Sequence, residues 1–157
     1  MSDALESLNG LIVPLADRGL LLPNVAVAEL SGYRRQEAPP PGSPDWFLGW
    51  MRWRDQRIAV MDPASMLGLP SSNDTSREQA LVMNAIGGRG GVHFFALRVA
   101  GIPRSRKVLR GEISAEPEQP VMPGVLQQVT LADVEQPLLI PDLQALEQQL
   151  ADIGAFA

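Results

Sequence analysis

The sequence predicts a mainly β protein of two similar small barrels, with short helices and a longer helix near the C-terminus. Three observations predict it. Apolar runs of about four to eight residues recur between turn residues along the chain. A unit of strand, hairpin, strand and Asp-capped helix is written twice, about 80 residues apart. Leu143, Leu146, Leu150 and Ile153 then follow helical spacing behind Pro141-Asp142. Barrels this small bury little surface alone, so burial between them should matter.

The elements follow in order. Residues 1–9 read as a frayed or helical lead-in. Leu11 to Ala16 reads as a strand, which Pro14 pushes towards a sheet edge. Asp17-Arg18-Gly19 turns into Leu20-Leu21-Leu22. Asn24 can cap a short helix, Val25 to Leu30, that Gly32 would end. Glu37 to Pro44 is a proline-rich extended loop. Trp46-Phe47-Leu48 reads as one helical turn, from which Gly49 releases a strand. Arg54 to Arg57 can turn, and Ile58 to Met61 is a buried strand. Asp62 caps a short helix with Pro63 at its first position, and Gly68 ends it. The polar stretch 70–77 is a plausible boundary between halves 11–77 and 78–157 of a single domain 1–157, with strand exchange between the halves open.

In the second half, Gln79 to Ile86 and Val92 to Val99 read as a hairpin around Gly87-Gly88-Arg89-Gly90-Gly91. That glycine run lacks the Lys-Ser/Thr ending and following helix of a phosphate-binding loop. Ile102 to Glu112 is a basic strand with Arg104, Arg106, Lys107 and Arg110. Its charges read as a solvated face over Val108 and Ile102. Ser114 to Pro123 is a polar loop. Val125 to Leu131 and Val134 to Ile140 form the last hairpin. In the repeat, Val125-Leu126 corresponds to Trp46-Phe47, Val129-Thr130-Leu131 to Met51-Arg52-Trp53, and Leu138-Leu139-Ile140 to Ala59-Val60-Met61. Pro141 is then an insertion.

Composition narrows the function. The chain has 157 residues and a formal charge of −5, which argues against a general nucleic-acid binder. It has no cysteine, which excludes disulfides, thiol catalysis and Cys-based zinc sites. No apolar run is long enough to span a membrane. The acidic start lacks the basic region of a secretory signal, and the lack of cysteine is compatible with the cytoplasm. Of the 13 cations only Lys107 is lysine, a bias suited to forked contacts with carboxylates.

Catalytic chemistry is not legible. His93, the one histidine, sits beside Phe94 and Phe95 and reads as a packed strand residue. The acidic residues are scattered, so neither a metal nor another cofactor is expected. The richest stretch is Pro44 to Leu69, with Trp46, Trp50, Trp53 and a run of arginines. Trp46 reads as buried. In strand register Trp50, Arg52 and Arg54 share one face, and Met51 and Trp53 the other. One face should meet solvent or a partner, which favours recognition over catalysis.

Residues 27–69 resemble the CheW family of chemotaxis coupling proteins. Val27-Ala28-Glu29-Leu30-Ser31-Gly32-Tyr33 is similar to the motif V-x-E-I-x-x-Y, and Pro44 to Gly49 to P-x-x-I-x-G. Trp50 to Asp62 matches V-I-N-L-R-G-x-I-I-P-V-I-D without a gap. The resemblance extends weakly over most of the chain. It implies two SH3-like five-stranded β-barrels and a non-enzymatic scaffold. The implied partners are the regulatory domain of a CheA-type histidine kinase and the cytoplasmic tip of a methyl-accepting chemoreceptor. The implied location is cytoplasmic, at membrane-associated receptor arrays in a bacterium, with no direct membrane insertion. Arg54 matches the motif arginine implicated in such contacts, and Val27 lies where the motif borders the receptor groove. With Arg52, Trp50 and Arg57 these are the candidate partner-binding residues. Asp55 replaces the motif glycine, Arg52 its asparagine, Ala59 its proline, and Val99-Ala100 stands for a valine-aspartate pair. These departures imply a divergent paralogue. An SH3-like module binding nucleic acid or peptide through the Trp/Arg hairpin is the alternative, and an enzyme lacks any nominated residues.

Overall fold

In the computed structural model the described residues are 7–15, 18–33, 37–69, 79–86, 93–109, 113–115, 125–131 and 137–155. They form eleven strands: β1 (Ser7–Pro14), β2 (Gly19–Pro23), β3 (Val27–Gly32), β4 (Phe47–Trp53), β5 (Gln56–Met61), β6 (Gln79–Asn84), β7 (Phe94–Val99), β8 (Arg104–Leu109), β9 (Ile113–Ala115), β10 (Val125–Leu131) and β11 (Leu138–Pro141). Two helices complete them, α1 (Pro63–Met66) and α2 (Leu143–Asp152). The strands make two sheets, one ordered β8-β1-β2-β11-β10-β9 and the other β3-β6-β7-β5-β4. The fold is thus mainly β in two subdomains, with six strands rather than five in the first sheet. Each sheet draws strands from both sides of residue 77.

The alternation of side chains sorts the apolar residues into three clusters. Met51, Trp53, Ile58, Val60, Ala80, Val82 and Ala96 pack within the five-stranded sheet. Leu21, Val108, Val129, Leu131 and Leu138 pack within the six-stranded one. Their strand neighbours point the other way. Trp50, Ala59, Met61, Leu81, Phe95 and Leu97 meet Val13, Leu20, Leu22 and Leu139 in the largest cluster, between the sheets. Strands apolar on both faces are what such an arrangement requires. Helix α2 closes this middle core with Leu146 and Leu150, both fully buried, and the partly buried Leu143.

The repeat is visible in the ladders. β4–β5 and β10–β11 are antiparallel hairpins, each with a bulge, after Phe47 in one and after Val125 in the other. β5 then pairs in parallel with β7, and β11 with β2. Asp62 accepts from the Ala64 and Ser65 amides and Asp142 from Ala145, each capping the helix that follows. The register corrects the sequence alignment. Met61 pairs with Phe47 and Pro141 with Val125, so Pro141 takes the place of Met61 and is no insertion. Phe47, not Trp46, is then the counterpart of Val125.

Several local expectations change. Val25 to Leu30 is not a helix. Only Asn24–Ala26 forms a 3-10 turn, and Val27–Gly32 is a strand alternating between half-buried and exposed. Its apolar spacing fits two residues as well as a short helix, and pairing with β6 decides. Pro14 does not mark an edge, since β1 lies between β8 and β2 and Pro14 is its last residue. Trp46 is half-buried and belongs to a turn closed by the Phe47 amide on the Pro44 carbonyl. Gly49 lies inside β4, not before it. Ile102 is 72% exposed and precedes β8, whose buried apolar residue is Val108. β9 falls where a polar loop was expected. The run Gly87 to Gly91, the stretch 70–77 and the turn at Ala16-Asp17 lie outside the described residues.

Candidate partner-binding hairpin

β4 and β5 turn through Arg54-Asp55, at the edge of the five-stranded sheet. Both turn residues have positive φ, 48° and 62°. A two-residue loop of this hand matches the twist of the strands but favours Asn-Gly over residues with a longer side chain. Asp tolerates the left-handed region better than most residues, and glycine better still. Asp55→Gly should therefore stabilise the protein by about 0.5–1 kcal/mol, raising the melting temperature by roughly 1–4 °C. A lower melting temperature would show that Asp55 makes a compensating contact in the folded state.

The arginines of the hairpin do not stand free as a row. The Arg54 guanidinium lies 4.6 Å from the Trp53 ring centroid and donates to Glu29 Oε1 at 2.9 Å. Trp53 is buried, and its indole N–H donates to the other oxygen of Glu29 at 2.7 Å. One carboxylate on β3 thus ties together Trp53, the last residue of β4, and Arg54 in the turn that follows. These are the two outer strands of the sheet order, so the contact bridges its ends. The Trp53 hydrogen bond, and then Arg54, hold the Glu29 carboxyl below its ordinary range. Its ionised form is therefore favoured by folding. The contribution is complete above the ordinary glutamate pKa and is lost as pH falls through the lower folded value.

A second set repeats the pattern. Arg57 stacks over Trp50 at 3.9 Å and pairs with Glu37. Glu37 also exchanges both backbone hydrogen bonds with Trp50, so the proline-rich loop covers the outer edge of β4. Arg52 is exposed, lies opposite Arg57 in the ladder, and forms no ion pair among the described residues. Arg54 itself remains open to solvent, with 65% of its side chain exposed.

The structure thus brings Arg52, Arg54 and Arg57 to one hairpin, as the sequence predicts. It separates Trp50 from them in role. Trp50 shares the face of Arg52 but is 8% exposed, packed edge-on against Phe47, with its indole N–H on the Ala155 carbonyl at 2.9 Å. The middle core therefore holds its ring, and only the face under Arg57 bears on the hairpin. Val27 is the first residue of β3, two before Glu29, and is half-buried against that core. Beside it Val25 is 86% and Ile86 61% exposed, and the Asn84 amide joins Val25 to β6. The sequence reading missed Glu29 and Glu37 as partners of the arginines. The signal for Glu29 was its place in the segment Val27 to Tyr33. His93 is exposed just before β7, not packed in it, and its carbonyl accepts the Ala85 amide. No group of three or more His, Asp or Glu that could hold a metal occurs among the described residues.

The chain is thus a mainly β protein of two sheets around a shared core, with three arginines on one hairpin at a sheet edge. A family model described as a CheW-like domain matches residues 9–150, and the chain belongs to that family. Its class is that of the chemotaxis scaffolds and adaptors. Among solved structures it is similar in fold to the scaffolding protein TtCheW from Thermoanaerobacter tengcongensis. The TM-score is 0.71 at 16% identity, over 88% of this chain and 91% of that one. Comparison with curated proteins found no match.

Proposed function

We propose that this chain couples the cytoplasmic tip of a methyl-accepting chemoreceptor to the regulatory domain of a CheA-type histidine kinase, as a scaffold with no catalysis of its own. The observation that carries this reading is the CheW-like match across residues 9–150. The geometry supports it with two unlike surfaces. The exposed Val25, just before Val27, offers apolar contact suited to a receptor tip, and the Arg52–Arg57 hairpin offers hydrogen-bond donors. No helix among the described residues is long and apolar enough to cross a membrane. The proposed location is the cytoplasmic side of a receptor array, reached through the partners.

The test is Arg54→Glu, with affinity for the purified kinase regulatory domain and for a receptor tip measured beside the melting temperature. The substitution places a carboxylate against Glu29 and removes the stack on Trp53. Because the pair is exposed and screened, the melting temperature should fall only slightly. Affinity for at least one partner should fall about tenfold or more. Unchanged affinity for both would remove Arg54 from the interface.

A further inference from the structure

Of the two ion-paired hairpin arginines, Arg54 is the more open, with 65% of its side chain exposed against 42% for Arg57, and its backbone and side chain are both preset. Its φ of 48° is set by the turn. Its guanidinium is set by a ring below and a carboxylate beside it. The carboxylate is in turn held by the Trp53 indole N–H at 2.7 Å. Trp53 cannot drift, because it is 5% exposed and packed edge-on to Phe94 at 4.7 Å. The motif that this stretch resembles has leucine at the position of Trp53. Leucine supplies neither a donor nor a π face, so this arrangement belongs to this chain.

We infer that Trp53 is a positioning residue for Arg54, acting through Glu29, and that the guanidinium it presents is matched to a neutral acceptor on the partner, a backbone carbonyl or side-chain amide. The inference rests on the adaptor reading above. An arginine has five N–H donors, and the bond to Glu29 uses one. With 65% of the side chain exposed, donors remain for a partner. The charge, however, is already balanced by Glu29. A partner carboxylate would meet the Glu29 carboxylate at close range and be repelled. A carbonyl or amide oxygen accepts the same N–H groups without that repulsion. The hairpin would then choose partners by the placement of an acceptor and not by their acidity.

The experiment uses the full chain with Trp53→Phe, Glu29→Gln and Arg54→Gln. Trp53→Phe keeps an aromatic ring and loses only the N–H from the network. The Glu29 side-chain carboxyl is titrated by NMR in the wild type and in Trp53→Phe. Binding to the kinase regulatory domain and to a receptor tip is measured from about 50 to 300 mM salt. The Glu29 pKa should rise in Trp53→Phe, since the indole bond is the largest cause of its lowering. Trp53→Phe and Glu29→Gln should each weaken binding about threefold or more while the protein stays folded. Glu29→Gln changes a half-exposed side chain and guards against a Trp53 variant that fails to fold. The affinity ratio of wild type to Arg54→Gln should stay within about twofold across the salt range, because a neutral acceptor is little screened. A Glu29 pKa unmoved by Trp53→Phe would overturn the positioning role. A ratio collapsing about fivefold or more with salt would identify a carboxylate acceptor and overturn the neutral one. If the wild type binds neither probe, the adaptor reading fails and the recognition role with it, while the titration still decides whether Trp53 holds Glu29.

Discussion

Gly49→Ala should destabilise the protein more than any other single methyl group added to the described glycines. Gly49 has φ of +100°, a region that L residues rarely enter, and an added Cβ would sit 2.0 Å from the Glu37 carbonyl oxygen. That oxygen cannot move aside cheaply. It accepts the Trp50 amide at 3.0 Å, and the Glu37 amide returns a bond to the Trp50 carbonyl. The methyl group would therefore have to break this bridge, or twist β4 at its bulge. Backbone strain and two lost hydrogen bonds together should cost about 3–5 kcal/mol. For a chain of this size that lowers the melting temperature by roughly 6–20 °C. The damage should also reach the hairpin, because Glu37 carries the partner of Arg57. A drop of less than about 2 °C in a thermal melt would show that the Glu37 loop yields freely, and that the covered edge of β4 is not structural.

Leu146→Ala should cost about 2–5 kcal/mol. Leu146 is fully buried in the cluster between the two sheets, among residues from both. Its removal opens a cavity that neither sheet can close alone, since each is held by its own ladder. Glu147 accepts the Ile86 amide at 2.8 Å, and the Trp50 indole holds the Ala155 carbonyl, but most of the burial is by Leu146 and Leu150. A denaturant titration should show a lower midpoint at an unchanged slope. A loss below about 0.5 kcal/mol would mean that α2 does not pack as a core element.

The two substitutions separate what was legible in the sequence from what was not. The inward face of α2 could be read directly. Leu143, Leu146 and Leu150 have helical spacing, Asp142 is a capping residue, and Gly154 stands at the end with φ of +76°. The role of Gly49 could not. The chain around it is apolar and unremarkable, and its partner, the Glu37 carbonyl, is a backbone atom twelve residues away that no side-chain pattern reports.

Much of the architecture was written locally. The hairpins, the two Asp-capped helices and the doubling of the unit follow from turn residues, capping residues and periodicity, which act over a few positions. The sequence also placed Arg52, Arg54 and Arg57 on one hairpin, because they stand within six residues around a polar turn; the structure narrowed that turn from Arg54–Arg57 to Arg54-Asp55 alone. Tertiary structure alone decided the rest. Val27 to Gly32 became a strand because β6 lay ready to pair with it. Alternation already put Trp50 and Trp53 on opposite faces of one strand, but only the fold took the first into the core between subdomains and the second into the core of its own. Each then came to carry an arginine on its face and a glutamate from a segment some 13 to 24 residues earlier. Alternation along a strand says which residues share a face. It does not say which face is covered by a second sheet, or which distant carboxylate reaches across it, and those are the facts that turn a row of arginines into a preset site.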